Sequence, residues 1–149
     1  MNNFLLFIIV LSWPLIEATP APGGHCVWYG KCGKDPKFND ERHILNCLYR
    51  GPPKPASKSD LEKLAEICPH LQETELCCDS EQIEDLYENM ALPSAVLERC
   101  PTCLANFRKN FCDLTCRPDQ SLFANASKVV TAQSFKGMFC HLYTFCIFA

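Results

Sequence analysis

Residues 77–82 read Cys77-Cys78-Asp79-Ser80-Glu81-Gln82, and the rest of the chain is best read outward from them. Adjacent cysteines rarely bond each other, because a bridge needs converging Cβ vectors. Each of these two is therefore expected to reach a different partner, making the pair the hub of a disulfide framework. Asp79 followed by Gln82 is a capping-box pattern. It predicts a helix starting here, with Ile83, Leu86, Tyr87 and Met90 on its inner side.

Downstream, Pro93 and Ser94 open a further helical segment. Val96, Leu97, Cys100, Leu104, Phe107, Phe111 and Leu114 recur in it at helical spacing, with a break or kink expected at Pro101. Cys112 and Cys116 lie one turn apart and so face the same way. Upstream, Ser59 and Glu62 repeat the capping pattern ahead of an apolar face of Leu61, Leu64 and Ile67. Before that, Gly51-Pro52-Pro53-Lys54-Pro55 forces an extended connector, since proline fixes φ and restricts the preceding residue. The stretch from His25 to Cys47 reads as a loop clipped by Cys26, Cys32 and Cys47. From Phe135 to Ala149 the chain is dense in aromatics and cysteine, with Lys136 as its one full charge. It is too short to span a bilayer, and an apolar tail of this kind calls for a cover. The expected fold class is α+β, predominantly α-helical, in a small disulfide-rich secreted or lumenal domain.

Composition sets the compartment. Met1-Asn2-Asn3 leads into the apolar run Phe4–Leu11 and then to small residues around Ala18–Ala21, a secretory signal peptide by length and ending. Cleavage is expected after Ala18, with Ala21 as the alternative, leaving residues 19–149 as the domain. All twelve cysteines lie beyond the signal. On an oxidising route they imply structural disulfides. Cys100-Pro101-Thr102-Cys103 has redox or zinc spacing, yet no second pair follows at zinc-ribbon distance, and neither a metal nor a cofactor is expected. Net charge is only −3 with the signs interspersed, which argues against nucleic acid as a partner. Asn125-Ala126-Ser127 is a glycosylation sequon at Asn125. His25, His43, His70 and His141 form no recognisable pairing with Ser, Cys or Asp. A secreted phospholipase would follow its cysteine pair with a histidine, whereas Cys77-Cys78 leads into Asp79-Ser80-Glu81-Gln82. The chain is read as a binding domain and not an enzyme.

Five segments together resemble the amino-terminal domain of the Niemann–Pick C intracellular cholesterol transporter family. They are Cys26-Val27-Trp28-Tyr29-Gly30-Lys31-Cys32-Gly33; Asn46-Cys47 with Gly51-Pro52-Pro53-Lys54-Pro55; Leu76-Cys77-Cys78-Asp79; Arg99-Cys100-Pro101-Thr102-Cys103; and Asn110-Phe111-Cys112-Asp113-Leu114-Thr115-Cys116. The later cysteine pattern is also similar to folate receptors, which keeps a secreted small-ligand binder as the alternative, beside a structural fragment without a complete pocket. The resemblance implies a site for cholesterol or a related sterol, with Asn46 and Gln82 holding the hydroxyl and Trp28, Leu86 and Phe111 as walls. A primary amide suits a hydroxyl because it both donates and accepts. Read without the resemblance, Asn46 is a loop residue, Gln82 a capping residue and the other three ordinary core.

The resemblance also implies bridges Cys26–Cys77, Cys32–Cys47, Cys68–Cys112 and Cys78–Cys116. It pairs Cys100 and Cys103 with cysteines farther downstream, where this chain offers Cys140 and Cys146. Lys31 stands where the family's site has an acidic residue. The family's domain is longer, so this chain is expected to be incomplete at its C-terminal end, without the family's membrane spans. The implied setting is the endosomal or lysosomal lumen or the cell exterior. The implied partners are a sterol and the small soluble Niemann–Pick C carrier.

Overall fold

The computed structural model describes residues 23–35, 44–133 and 139–147. The expected signal peptide lies outside them. The described chain is α+β, with strands β1 (Cys26–Lys34), β2 (Ile44–Gly51), β3 (Lys54–Pro55), β4 (Glu75–Leu76), β5 (Ala124–Gln133) and β6 (Phe139–Ile147). The helices are α1 (Lys58–Ile67), α2 (Ser80–Asn89), α3 (Ala91–Val96) and α4 (Pro101–Cys116). No helix among the described residues is long and apolar enough to cross a membrane.

The helical layer is built by local chemistry. Ser57, not Ser59, caps α1: its hydroxyl accepts from Asp60 N–H at 3.1 Å, so the helix begins earlier than the Ser59–Glu62 spacing suggested. In α2 the capping box of Asp79 and Gln82 is complete. The break expected at Pro101 is present. Lacking an N–H, the proline sits at the first position of α4, where that donor has no helical partner anyway, and a turn separates α4 from α3. Leu64 and Ile67 of α1, Ile83, Leu86 and Met90 around α2, and Cys68, Cys78, Cys112 and Cys116 form one buried cluster. Tyr87, expected on the inner face of α2, is instead 40% exposed, its hydroxyl donating to Glu66 at 3.2 Å.

The sheet is larger than the minor β structure expected. Residues 26–34, read as loop, form β1. Irregular alternation hid it: the register against β2 shifts between Cys26 and Trp28, between Trp28 and Lys31, and between Lys31 and Gly33. The strand order is β1-β2-β6-β5, with β6 antiparallel to both neighbours. The final aromatic stretch therefore supplies a sheet strand, which its lack of a cap or stop signal did not foretell. The Gly-Pro-Pro-Lys-Pro connector is extended as expected, and Lys54–Pro55 pairs with Glu75–Leu76. Lys54 Nζ lies 3.9 Å from the Tyr29 ring centre and 4.5 Å from that of Tyr49, seating the connector on β1 and β2.

Disulfides tie the layers together. Cys26–Cys77 links β1 to the residue ahead of α2, and Cys78–Cys116 links the next residue to the end of α4. Cys68–Cys112 joins α1 to α4, and Cys32–Cys47 joins β1 to β2. On the chain-entropy account such loops contribute roughly 3–4 kcal/mol each. Cys100 and Cys103, expected to reach downstream cysteines, bond each other instead. The first turn of α4 brings their Cα atoms to 5.2 Å, within bridging reach. The side chains of Cys140 and Cys146 lie outside the described ones.

Candidate functional site

Gln82 is 4% exposed although it sits in the first turn of a helix. Its carbonyl oxygen accepts from two backbone donors, Asp79 N–H at 3.1 Å and Gly30 N–H at 2.7 Å. The first bond is half of the capping box, completed by Gln82 N–H donating to Asp79 Oδ1 at 2.9 Å. The second reaches across to the bulged part of β1. Gly30 permits that approach: its φ is +75°, and a Cβ there would lie 2.8 Å from Asp79 Oδ2. With its oxygen held from both sides, Gln82 points its amide nitrogen at Asn46 on β2, donating to Oδ1 at 3.1 Å.

This amide pair lies in a cleft of about 310 Å³ between the sheet and helices α2 and α4. The sheet contributes Lys31, Ile44 and Asn46, α2 contributes Gln82, Asp85, Leu86 and Asn89, and α4 contributes Phe111 and Thr115. Leu86 is buried, while Phe111 is 44% exposed, its ring centre 4.5 Å from that of Phe107. Lys31 Nζ pairs with Asp85 Oδ2 at 2.5 Å, spanning from β1 to α2 and neutralising the cation within the cleft. Asp85 is half exposed, so solvent screens the pair and its contribution to stability is small. The volume falls at the lower end of the roughly 300–1,000 Å³ usual for ligand sites.

Of the sequence-predicted residues, Asn46, Gln82, Leu86 and Phe111 converge on this cleft. Trp28 does not. It is 1% exposed and packs with Val27, Ala124 and Leu48 in a second core cluster. Asn125 is exposed, in β5. The reading missed Asp85 and Asn89, which follow Gln82 at helical spacing on one face of α2, and Thr115, one turn beyond Phe111. That periodicity was the available signal. No group of three or more metal-ligating side chains occurs among the described residues.

A second buried glutamine went unnoticed. Gln120 is fully buried, and its oxygen accepts from Val27 N–H at 3.0 Å and Trp28 N–H at 3.4 Å. Its nitrogen donates to the carbonyls of Leu114 and Thr115 at 2.9 and 3.0 Å. Those carbonyls end α4, where the chain turns extended at Arg117 and Pro118 has no N–H to offer.

The family model described as Niemann-Pick C1 N terminus matches residues 23–146. The chain belongs to that family. The NPC intracellular cholesterol transporter 1 of Sus scrofa is 43% identical over 104 residues, 68% of this chain and 8% of the relative. The NPC1-like intracellular cholesterol transporter 1 of Homo sapiens is 36% identical over 137 residues, 87% of this chain and 10% of the relative. A Caenorhabditis elegans relative, NPC intracellular cholesterol transporter 1 homolog 1, is 38% identical over 78 residues, 51% of this chain and 6% of the relative. The chain thus spans about a tenth or less of the relatives it matches, and the residues that the family model matches include the amide pair, the capping box and the framework cysteines.

Proposed function

We propose that this domain binds a sterol non-covalently, with the ligand hydroxyl at Asn46 and Gln82 and the ring system against Leu86, Ile44 and Phe111. One observation carries the reading. The Gln82 amide group has two N–H donors and spends one on Asn46, while its oxygen is saturated by backbone. The remaining donor, together with the Asn46 amide, sits in a cleft whose other walls include leucine, isoleucine and phenylalanine. A rigid apolar body with one hydroxyl matches that distribution. The relatives are named as intracellular cholesterol transporters, which supports the same ligand class.

The role is acceptance and hand-over of a sterol in an endosomal or lysosomal lumen, with the small soluble Niemann–Pick C carrier as donor. No bond is made or broken in the ligand, and no cofactor takes part. The disulfide framework suits such an oxidising compartment. The test is equilibrium binding of radiolabelled cholesterol to the oxidised protein. Saturable binding that Asn46→Ala weakens roughly tenfold, with unlabelled sterol competing and a pteridine not competing, supports the reading. Absence of saturable binding by folded protein, or displacement by the pteridine alone, refutes it.

A further inference from the structure

We propose, resting on the sterol reading of the same cleft, that its preferred ligand is the sulfate monoester of a sterol and that Lys31 is the residue selecting it. Three observations carry this. The first is placement. Lys31 and Asn46 are cross-strand partners on β1 and β2, and both line the cleft. Directly opposed residues of an antiparallel pair hold their Cβ atoms roughly 5 Å apart on one face. An ammonium group therefore stands beside the Asn46–Gln82 amide pair, where the oxygen of a sterol is held.

The second is an asymmetry in the ion pair. The Lys31 side chain is 17% exposed and that of its partner Asp85 is 50% exposed. A cation so far withdrawn from water needs an anion beside it, because desolvation without one is costly. Asp85 supplies that anion from the rim, and its carboxylate regains hydration simply by turning outward. Lys31 has no such exit. An incoming anionic group thus replaces Asp85 at Nζ while the aspartate returns to solvent, and the cation keeps a partner throughout.

The third is the balance of donors and acceptors. Lys31, the amides of Asn46 and Gln82 and the hydroxyl of Thr115 bring donors to the cleft. Asp85 is the one carboxylate among the described residues that line it. A free sterol hydroxyl engages the amides and leaves the ion pair as it is. A sulfate monoester keeps its bridging oxygen at the amides and extends three further oxygens, all acceptors, toward the ammonium. Its single negative charge persists through the acidic range and equals that of Lys31 with opposite sign. Charge-assisted hydrogen bonds are roughly twice as strong as neutral ones, so the ester gains where the alcohol does not. The apolar walls, Ile44, Leu86 and Phe111, serve the ring system of either ligand.

The test measures equilibrium binding of radiolabelled cholesterol and radiolabelled cholesterol sulfate to the oxidised protein at its full length, in one fixed detergent concentration. The quantity read is the ratio of the two affinities. The native protein is expected to favour the sulfate roughly tenfold. Lys31→Met is expected to bring the ratio to about one or below, while Lys31→Arg, which keeps the charge, retains the preference. Asp85→Asn removes the competing carboxylate and is expected to raise the ratio several-fold. Glu88→Gln removes the same charge from an exposed position of α2 outside the cleft and leaves the ratio unchanged. A ratio near or below one in the native protein overturns the proposal. So does a preference that survives Lys31→Met, or one that rises equally in Asp85→Asn and Glu88→Gln. Saturable cholesterol binding with no preference for the sulfate overturns the proposal alone and leaves the sterol reading standing, whereas no saturable binding of either ligand overturns both.

Discussion

Two buried glutamines hold β1 to the rest of the molecule, and they differ in one hydrogen bond. Gln120 clamps Val27 and Trp28 to the end of α4 with all four of its bonding positions filled: two donors in, two acceptors out. Gln82 clamps Gly30 to the start of α2 with its oxygen equally filled, but its nitrogen has one partner among the described residues, the side chain of Asn46. Gln120 lies beside an apolar core of Val27, Trp28 and Ala124, Gln82 beside an open cleft. A buried amide with every position used is cement. One held equally rigidly with a donor left over is a receptor, because its orientation costs nothing further when a ligand arrives.

The largest effect is expected at the closed clamp. Gln120→Leu keeps the volume but removes the hydrogen bonds made to two backbone N–H groups and two helix-terminal carbonyls. Each unsatisfied group costs about 1–3 kcal/mol, so a loss of roughly 3 kcal/mol or more is expected, read from the denaturant midpoint of oxidised protein. A change under about 1 kcal/mol would mean that the clamp is ornamental. Gly30→Ala attacks the open clamp through the backbone. With φ at +75° and Asp79 Oδ2 in the way of a Cβ, roughly 1–3 kcal/mol is expected, and sterol affinity should fall with it as Gln82 loses its anchor. Thermal melts and labelled-sterol binding on one sample would separate the two losses.

Asn46→Ala sharpens the contrast in the other direction. It removes a ligand contact on a strand and should weaken sterol binding roughly tenfold while changing stability by less than about 1 kcal/mol. The smallest effect lies away from both clamps. Burial alone would raise the pKa of Asp113, but hydrogen bonds from Lys109 and His70 outweigh it and hold the carboxyl below its usual 3.8. A depressed carboxylate stabilises the fold above its unfolded value and loses that contribution as pH falls through the folded one. The stability gap between the protein and Asp113→Asn should therefore persist at pH 5 and shrink only below 3.8. A gap that closes by pH 5 would contradict this.

What could be read from the sequence follows the range of each interaction. The capping box at Asp79 and Gln82 was legible because both halves lie within one turn. The break at Pro101 was legible because proline acts on its own backbone. β1 was not, since its bulges spoil the alternation by which strands are recognised. Tyr87 was misplaced because periodicity marks a face and cannot say where that face meets solvent. Trp28 was assigned to the site through family resemblance, and it packs in a second buried cluster that does not line the cleft. Gln120 left no trace, as its partners lie 92 and 93 residues away in one direction and within the last turn of α4 in the other. The bond from Gly30 to Gln82, which orients the site, spans 52 residues and was equally invisible.

The most direct test of the Gln82–Asn46 pair as a sterol hydroxyl site is a double-mutant cycle between ligand and protein. Affinities of the native protein and of Asn46→Ala are measured for cholesterol and for its analogue lacking the hydroxyl. The account predicts that the native protein prefers cholesterol roughly tenfold and that Asn46→Ala loses most of this preference while binding the deoxy analogue as before. An undiminished preference in Asn46→Ala, or none in the native protein, would place the hydroxyl elsewhere and contradict the account.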